Sequence, residues 1–299
     1  MRQRVLSVAL LGLGAILAMP APGATIYNNL TPNDMIGIAT RPGTAGSFEI
    51  EAGDDFVLTA QTIINMATFD GILGSPTDAA PTISDVVLEI YRVFPADSDV
   101  GRTSGPPTFS TAQVPTRVNS PSDVAFDSRD SAAGELTFSS SNLAKTFTVL
   151  NSVQPGGIHP MLTQTTMGNG PLTGEEVQIS VNLSSTLDLP PDHYFFVPQV
   201  EVNNGGTFYW LSASRPISGA GTTPFPPGFT DLQAWTRDQF LDPDWLRVGT
   251  DIVGGGANAP TYNTAFALDG TVVPEPASIA AVAAGLALIG LRKRRTAVR

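Results

Sequence analysis

Between residues 177 and 183 the chain alternates without a break: Val177, Ile179, Val181 and Leu183 fall between Gln178, Ser180 and Asn182. A period of two sends successive side chains to opposite faces, so this segment reads as a strand with one dry and one wet face. Runs 62–69, 83–94, 136–138, 145–150, 194–202, 207–212 and 263–268 are similarly rich in β-branched and aromatic residues. In 83–94, Val87, Glu89, Tyr91 and Val93 interleave with Val86, Leu88, Ile90 and Arg92, as in a strand buried on one or both faces.

Turn clusters at 74–81, 104–107, 168–174, 203–206 and 219–228 separate these runs. The 29 glycines and 25 prolines place turns so often that long helices are excluded from the body. Asn203-Asn204-Gly205-Gly206, between two aromatic-rich runs, predicts a hairpin. The expected fold class is all-β: an antiparallel β-sandwich or jelly-roll-like domain over residues 25–272. The one departure is 230–245, where Leu232, Trp235 and Phe240 are expected on a short helix broken at Pro243. Coiled-coil, collagen and polytopic membrane architectures do not fit this pattern.

The ends differ from the body. Arg2 and Arg4 precede an apolar run at 5–18, followed by Met19-Pro20-Ala21-Pro22-Gly23-Ala24. A basic start, an apolar core and small residues describe a secretory signal peptide over 1–24, cut after Gly23 or Ala24. Near the other end, Pro274-Glu275-Pro276 is followed by an apolar stretch at 277–291 and then Arg292, Lys293, Arg294 and Arg295. As a helix that stretch would be about 22 Å long against a hydrocarbon core of about 30 Å, a short transmembrane helix whose flanking arginines can snorkel. The basic cluster belongs on the cytoplasmic side.

The order Val273-Pro274-Glu275-Pro276, Ala/Gly/Leu-rich helix, basic cluster resembles the PEP-CTERM sorting signal of certain bacteria. The resemblance covers the terminal segment 273–299 together with the signal peptide. It implies that an exosortase recognises the tail and cuts near Pro274, Glu275 and Pro276. It further implies export through the inner membrane, a membrane-anchored precursor, and a cell-surface or extracellular protein linked to extracellular polysaccharide or biofilm. Within the body, Asp54-Asp55-Phe56-Val57-Leu58, the segment Glu89-Ile90-Tyr91-Arg92-Val93-Phe94-Pro95 and Pro243-Asp244-Trp245-Leu246-Arg247 resemble ectodomains carried by other PEP-CTERM proteins. That second resemblance transfers no activity and no active residues.

Charge and composition narrow the functional classes. Residues 25–273 hold nine basic groups against 26 acids, a net charge of −17. Such a surface repels polyanions, so nucleic acid is excluded as a partner. The chain has no cysteine, which removes disulfides, thiolate metal sites and cysteine nucleophiles. It has no Gly-x-Ser-x-Gly elbow, no His-Glu-x-x-His and no phosphate loop in the body. His159 lies in a turn, and His193 opens a strand beside Asp192. Both read as hydrogen-bonded structural histidines.

No catalytic residue is expected and no cofactor is required. Calcium is a secondary possibility: Asp54-Asp55, Asp97-Ser98-Asp99, Asp127 with Asp130, and Asp242-Pro243-Asp244 carry hard oxygen ligands without EF-hand spacing. Tyr209, Trp210, Trp235 and Trp245 are the candidate carbohydrate-binding residues, because aromatic faces stack on the C–H patches of sugar rings. By alternation, either Tyr209 or Trp210 is expected to point outward. The expected function is non-catalytic, structural or adhesive in an extracellular polysaccharide matrix. The alternatives are a carbohydrate-binding module and a glycosidase-like extracellular hydrolase working through a carboxylate pair.

Overall fold

The computed structural model describes residues 23–44, 46–74, 81–99, 114–158, 165–213 and 225–274. The signal-peptide segment, His159 and everything from Glu275 onward lie outside the described residues. Fourteen strands build two sheets. They are β1 (Ala24–Asn28), β2 (Pro32–Ala39), β3 (Ile50–Leu58), β4 (Thr62–Gly74), β5 (Ile83–Arg92), β6 (Asp127–Asp130) and β7 (Leu136–Val149). There follow β8 (Asn151–Val153), β9 (Leu172–Leu189), β10 (Asp192–Val202), β11 (Thr207–Ala213), β12 (Trp235–Asp238), β13 (Leu246–Arg247) and β14 (Phe266–Val272). Helical pieces among the described residues are single turns at Pro155–Gly157, Val248–Val253 and Gly256–Asn258. No described helix is long and apolar enough to cross a membrane.

The eight-stranded sheet is organised around β4. One edge of β4 pairs with β9, which pairs onward with β7. Its other edge takes β14 along residues 62–69 and β11 along residues 71–74. Beyond β14 lies β1; beyond β11 lie β2 and then β8, the one parallel pairing. Gly71 stands where β4 passes from β14 to β11. A Cβ there would sit 2.2 Å from the Phe208 ring, so only glycine allows this approach. The second sheet is antiparallel throughout, in the order β13-β12-β3-β10-β5-β6.

The sheets face each other across one hydrophobic core, because the alternating apolar residues of both point inward. From the six-stranded sheet come Phe56, Ile90, Tyr194 and Phe196; from the other come Phe69, Phe208, Trp210 and Phe266. Phe196 stacks on Phe266 at 5.1 Å and meets Phe69 and Trp210 edge-on at 6.1 and 5.9 Å. Phe266 also stacks on Tyr27 at 4.5 Å. Trp210 Nε1 donates to the Ala265 carbonyl at 3.0 Å, so its one polar atom is satisfied inside the core.

One local expectation is overturned. Segment 230–245 holds no helix: it forms β12 and a turn at 239–243. Trp235 and Arg237 alternate with Thr236 and Asp238, and the segment pairs with β3 through Trp235↔Gly53 and Arg237↔Glu51. Backbone partners supplied by a distant strand outweigh a weak helical spacing. The run 136–150, read as two short strands, is one long strand, β7, with irregular register near Ala144. The turn expected at 203–206 is present, with Asn204 at φ +61°, but it closes no hairpin: β10 lies in the six-stranded sheet and β11 in the eight-stranded one, so the turn carries the chain from one sheet to the other.

Candidate functional site

The outward face of the six-stranded sheet carries the densest chemistry. Alternation sends Glu51, Gly53 and Asp55 of β3 outward, together with Glu89 and Tyr91 of β5, His193, Phe195, Val197 and Gln199 of β10, and Trp235 and Arg237 of β12. Register then sets Tyr91 beside Phe195, Glu89 beside Val197, and Arg237 beside Glu51. Tyr91, Phe195, Val197, Trp235 and Trp245 form a second, smaller apolar cluster on this face. Turns from 114–126 and 239–245 close over it. Trp245 Nε1 donates to the Ser122 carbonyl at 3.1 Å, and Arg237 Nη1 donates to the Asp123 and Pro243 carbonyls at 3.3 and 3.1 Å.

Arg237 is the centre of this cover and is 4% exposed. Its guanidinium forms a bidentate pair with Glu51, donating from Nε to Oε2 and from Nη2 to Oε1. It also donates to the Tyr91 hydroxyl at 2.9 Å and to Asp242 at 2.8 Å. The guanidinium carbon lies 4.4 Å from the Trp245 ring centroid and 5.3 Å from that of Tyr91. A planar, weakly hydrated cation fits this slot as an ammonium would not. Burial opposes its charge, yet Glu51, then Tyr91 and Asp242, hold Arg237 above its usual range.

Besides Asp242, three carboxyl groups, Glu49, Glu51 and Glu89, lie within the field of this arginine. Tyr91 Oη donates to Glu51 Oε1 at 2.6 Å and lies 3.2 Å from Glu89 Oε2. Gln199 Nε2 donates to Glu49 Oε1 at 3.1 Å and to Glu89 Oε2 at 3.3 Å. One cation does not balance this many half-buried and buried carboxylates, which favours the protonated form of those farthest from Arg237. Burial, then the charge of Glu51, pushes Glu89 up to about 9; burial, then Glu51, also raises Glu49.

The linkage has a definite sign. The unfolded chain loses the Glu89 proton near 4.5, while the folded one keeps it to about 9. The folded state therefore binds more protons in this window, and stability falls as pH rises through it. Glu89→Gln is expected to be more stable than the native chain at pH 8, with an advantage that shrinks towards pH 5. Melting temperatures of both proteins from pH 5 to 9 measure it. A gap constant with pH would mean that Glu89 is ionised in the fold.

A second buried ion group sits beside the first. Arg117 is fully buried and pairs with Asp123, with Asp244 Oδ1 3.6 Å from its Nε and the Phe94 ring 4.5 Å from its guanidinium. At the far end of the same face, His193 Nε2 donates to Asp55 Oδ2 at 2.6 Å. Its sequence neighbour Asp192 instead accepts from the His193 backbone N–H. Burial pulls the imidazole down to about 4, against the pull of Asp192 and Asp231. Phe225 and Phe229 pack on the ring at 6.1 and 5.7 Å.

The residues singled out in the sequence take different places. Trp210, Trp235, Trp245 and Tyr209 are 0, 1, 0 and 7% exposed. None presents an open ring face, which corrects the expectation of a stacking platform. Trp210 fills the core between the sheets, and Trp235 and Trp245 cover the arginine network. Tyr209 does turn to the outer side of its sheet, where it lines a shallow groove with Gln154, Thr173 and Thr207. Alternation requires one of Tyr209 and Trp210 to point outward, and the fold makes it Tyr209; neighbouring strands and loops, invisible to alternation, cover its face.

The aspartates weighed as calcium ligands are engaged elsewhere. Asp97 pairs with Arg92, Asp127 with Arg129, Asp242 with Arg237, and Asp244 lies by Arg117. Asp54 accepts from Thr264, and Asp55 from His193 and the Leu232 N–H. Among the described residues no group of three or more His, Asp or Glu is placed to hold a metal ion. Of the sorting motif, Pro274 is described; Glu275, Pro276, Arg292, Lys293, Arg294 and Arg295 lie outside.

Sequence reading passed over Glu51, Gln199, Arg237 and Arg117. One signal was available: Glu89 stands between Leu88 and Ile90, and Glu51 between Ile50 and Ala52, and a charge flanked by buried apolar residues needs a partner. The chain matches no protein-family model, no curated protein and no solved structure.

Proposed function

We propose that this is an exported, non-catalytic β-sandwich protein of jelly-roll-like character, structural or adhesive in an extracellular polysaccharide matrix, with a tail processed by an exosortase. The observation that carries this reading is the pairing of the first and last strands. β1 and β14 are antiparallel neighbours at an edge of the eight-stranded sheet, with Ala24 opposite Gly270. The expected signal-peptidase cut after Gly23 or Ala24 and the expected sorting segment from 273 therefore leave the body side by side. Val273 N–H still donates to the Gln61 carbonyl at 2.8 Å, so the fold holds the chain up to the threshold of the motif. A cut after Gly23 keeps all of β1, one after Ala24 removes its first residue, and a cut near Pro276 falls beyond the end of β14 at Val272.

The carboxyl chemistry favours the same reading over a hydrolase. Glu51, the natural partner for Glu89 in a two-carboxylate mechanism, is 3% exposed and tied to Arg237. A sugar has no route to it while the turns at 114–126 and 239–245 are closed. The network serves to rivet those turns to the sheet.

In the tail, Pro274 and Pro276 disfavour helix in the residues before them and keep the motif extended for a protease. Glu275 resists burial in lipid. In a host with an exosortase, the exported protein is expected to end near Pro276. Glu275→Ala, or deletion of 292–295, is expected to leave uncleaved precursor in the membrane. Mass spectrometry of the exported protein reads the result; an intact C-terminus at Arg299 would make the tail a plain anchor.

A further inference from the structure

We infer that one end of the body carries a binding site for a neutral glycan, formed where the loop between β2 and β3 meets the turn that carries the chain from β10 to β11. The two tips enclose a depression of about 230 Å³. Its wall is made of hydroxyls and amides, Thr44, Ser47, Asn203 and Asn204, with one cation, Arg41, and one anion, Glu201. In a body of net charge −17 this is a locally balanced patch. Such a wall suits an uncharged polyol, whose hydroxyls both donate and accept.

A platform adjoins the depression. Arg41 lines it and lies 4.9 Å over the Phe48 ring, donating from Nε to the Phe48 carbonyl at 3.0 Å. Phe48 meets Phe240 at 5.4 Å with the rings tilted by 57°. Phe240 is 69% exposed, whereas its neighbour Leu241 is 4% exposed and belongs to the core. The turn at 239–243 thus holds one large ring out in water while anchoring itself by the next residue. Phe48 is partly buried against the core beneath Arg41, so Phe240 supplies the open ring. An exposed ring near polar hydrogen-bonding groups suits a pyranose: a C–H face for the ring, hydroxyls for the wall. A peptide would want a deeper apolar pocket than one surface ring provides.

The choice of polymer rests on the matrix role proposed above; the site itself rests on the geometry. The full-length chain, purified in mild detergent, is run on native gels containing dextran, hydroxyethylcellulose or alginate. Retardation by a neutral polymer, without retardation by polyanionic alginate, is expected. Phe240→Ala removes the exposed ring, and Thr44→Arg fills the depression from an exposed position. Each should weaken retardation about tenfold in apparent Kd, with melting temperature unchanged. No retardation on either neutral gel, retardation by alginate alone, or equal retardation of both variants and the native chain would overturn the inference. A chain carrying Glu275→Ala should be retarded like the native one, so failure of the sorting reading and failure of this one are separable.

Discussion

Replacing Arg237 with alanine is expected to destabilise the protein by about 3–5 kcal/mol, the typical cost of removing one partner of a buried ion pair. Glu51, 3% exposed in the native fold, would lose its bidentate partner and keep the Tyr91 hydroxyl. The Asp123 and Pro243 carbonyls would lose a donor, and Trp245 and Tyr91 would lose the cation between them. The cost comes from the stranded charge more than from the lost attraction. The double variant Glu51→Gln with Arg237→Met should therefore recover part of the loss, since it leaves no buried charge at position 51. Arg92→Ala is the contrast: its pair with Asp97 is part-exposed, and a loss of at most about 1 kcal/mol is expected. Urea denaturation of the four proteins measures all of this. A loss at Arg237 no larger than that at Arg92 would show that water reaches the network.

Phe266→Ala is expected to cost a further class of energy, about 3–5 kcal/mol, through a cavity instead of a charge. Phe266 is fully buried and touches Tyr27, Phe56, Phe196 and Trp210, rings drawn from both sheets. It also belongs to β14, which joins β1 to β4. Its loss should loosen the sheet interface and the edge from which both chain ends leave. Phe240→Ala, at an exposed position, should stay within about 0.5 kcal/mol. The same denaturation experiment separates them: comparable losses at both positions would place Phe266 outside the cooperative core.

Much of the sheet structure was legible because strand periodicity is local. The alternating run at 177–183 lies within β9, and 83–94, 194–202 and 207–212 correspond to β5, β10 and β11 within two residues at each end. Two of the strands without a sequence signal, β3 and β12, have a common character. β3 carries Glu51, Asp54 and Asp55, and β12 carries Arg237 and Asp238, all buried. Charged residues lower the strand signal unless their partners are known, and here the partners come from other strands. The carboxyl trio shows the same dependence: Glu49, Glu51 and Glu89 are near one another only because β10 lies between β3 and β5.

Alternating apolar residues and dense Gly/Pro turns by themselves determined an all-β body, its main strands and its acidic charge, because backbone pleat and turn geometry depend on neighbours in sequence. They also predicted that either Tyr209 or Trp210 would leave the core side of the strand, without saying which. Only the tertiary structure decided which aromatic rings stay in water, which aspartates are already paired, and that Arg237 lies between Tyr91 and Trp245. Burial and charge pairing are properties of surfaces brought together across more than a hundred residues of chain, and no local pattern encodes which surfaces meet.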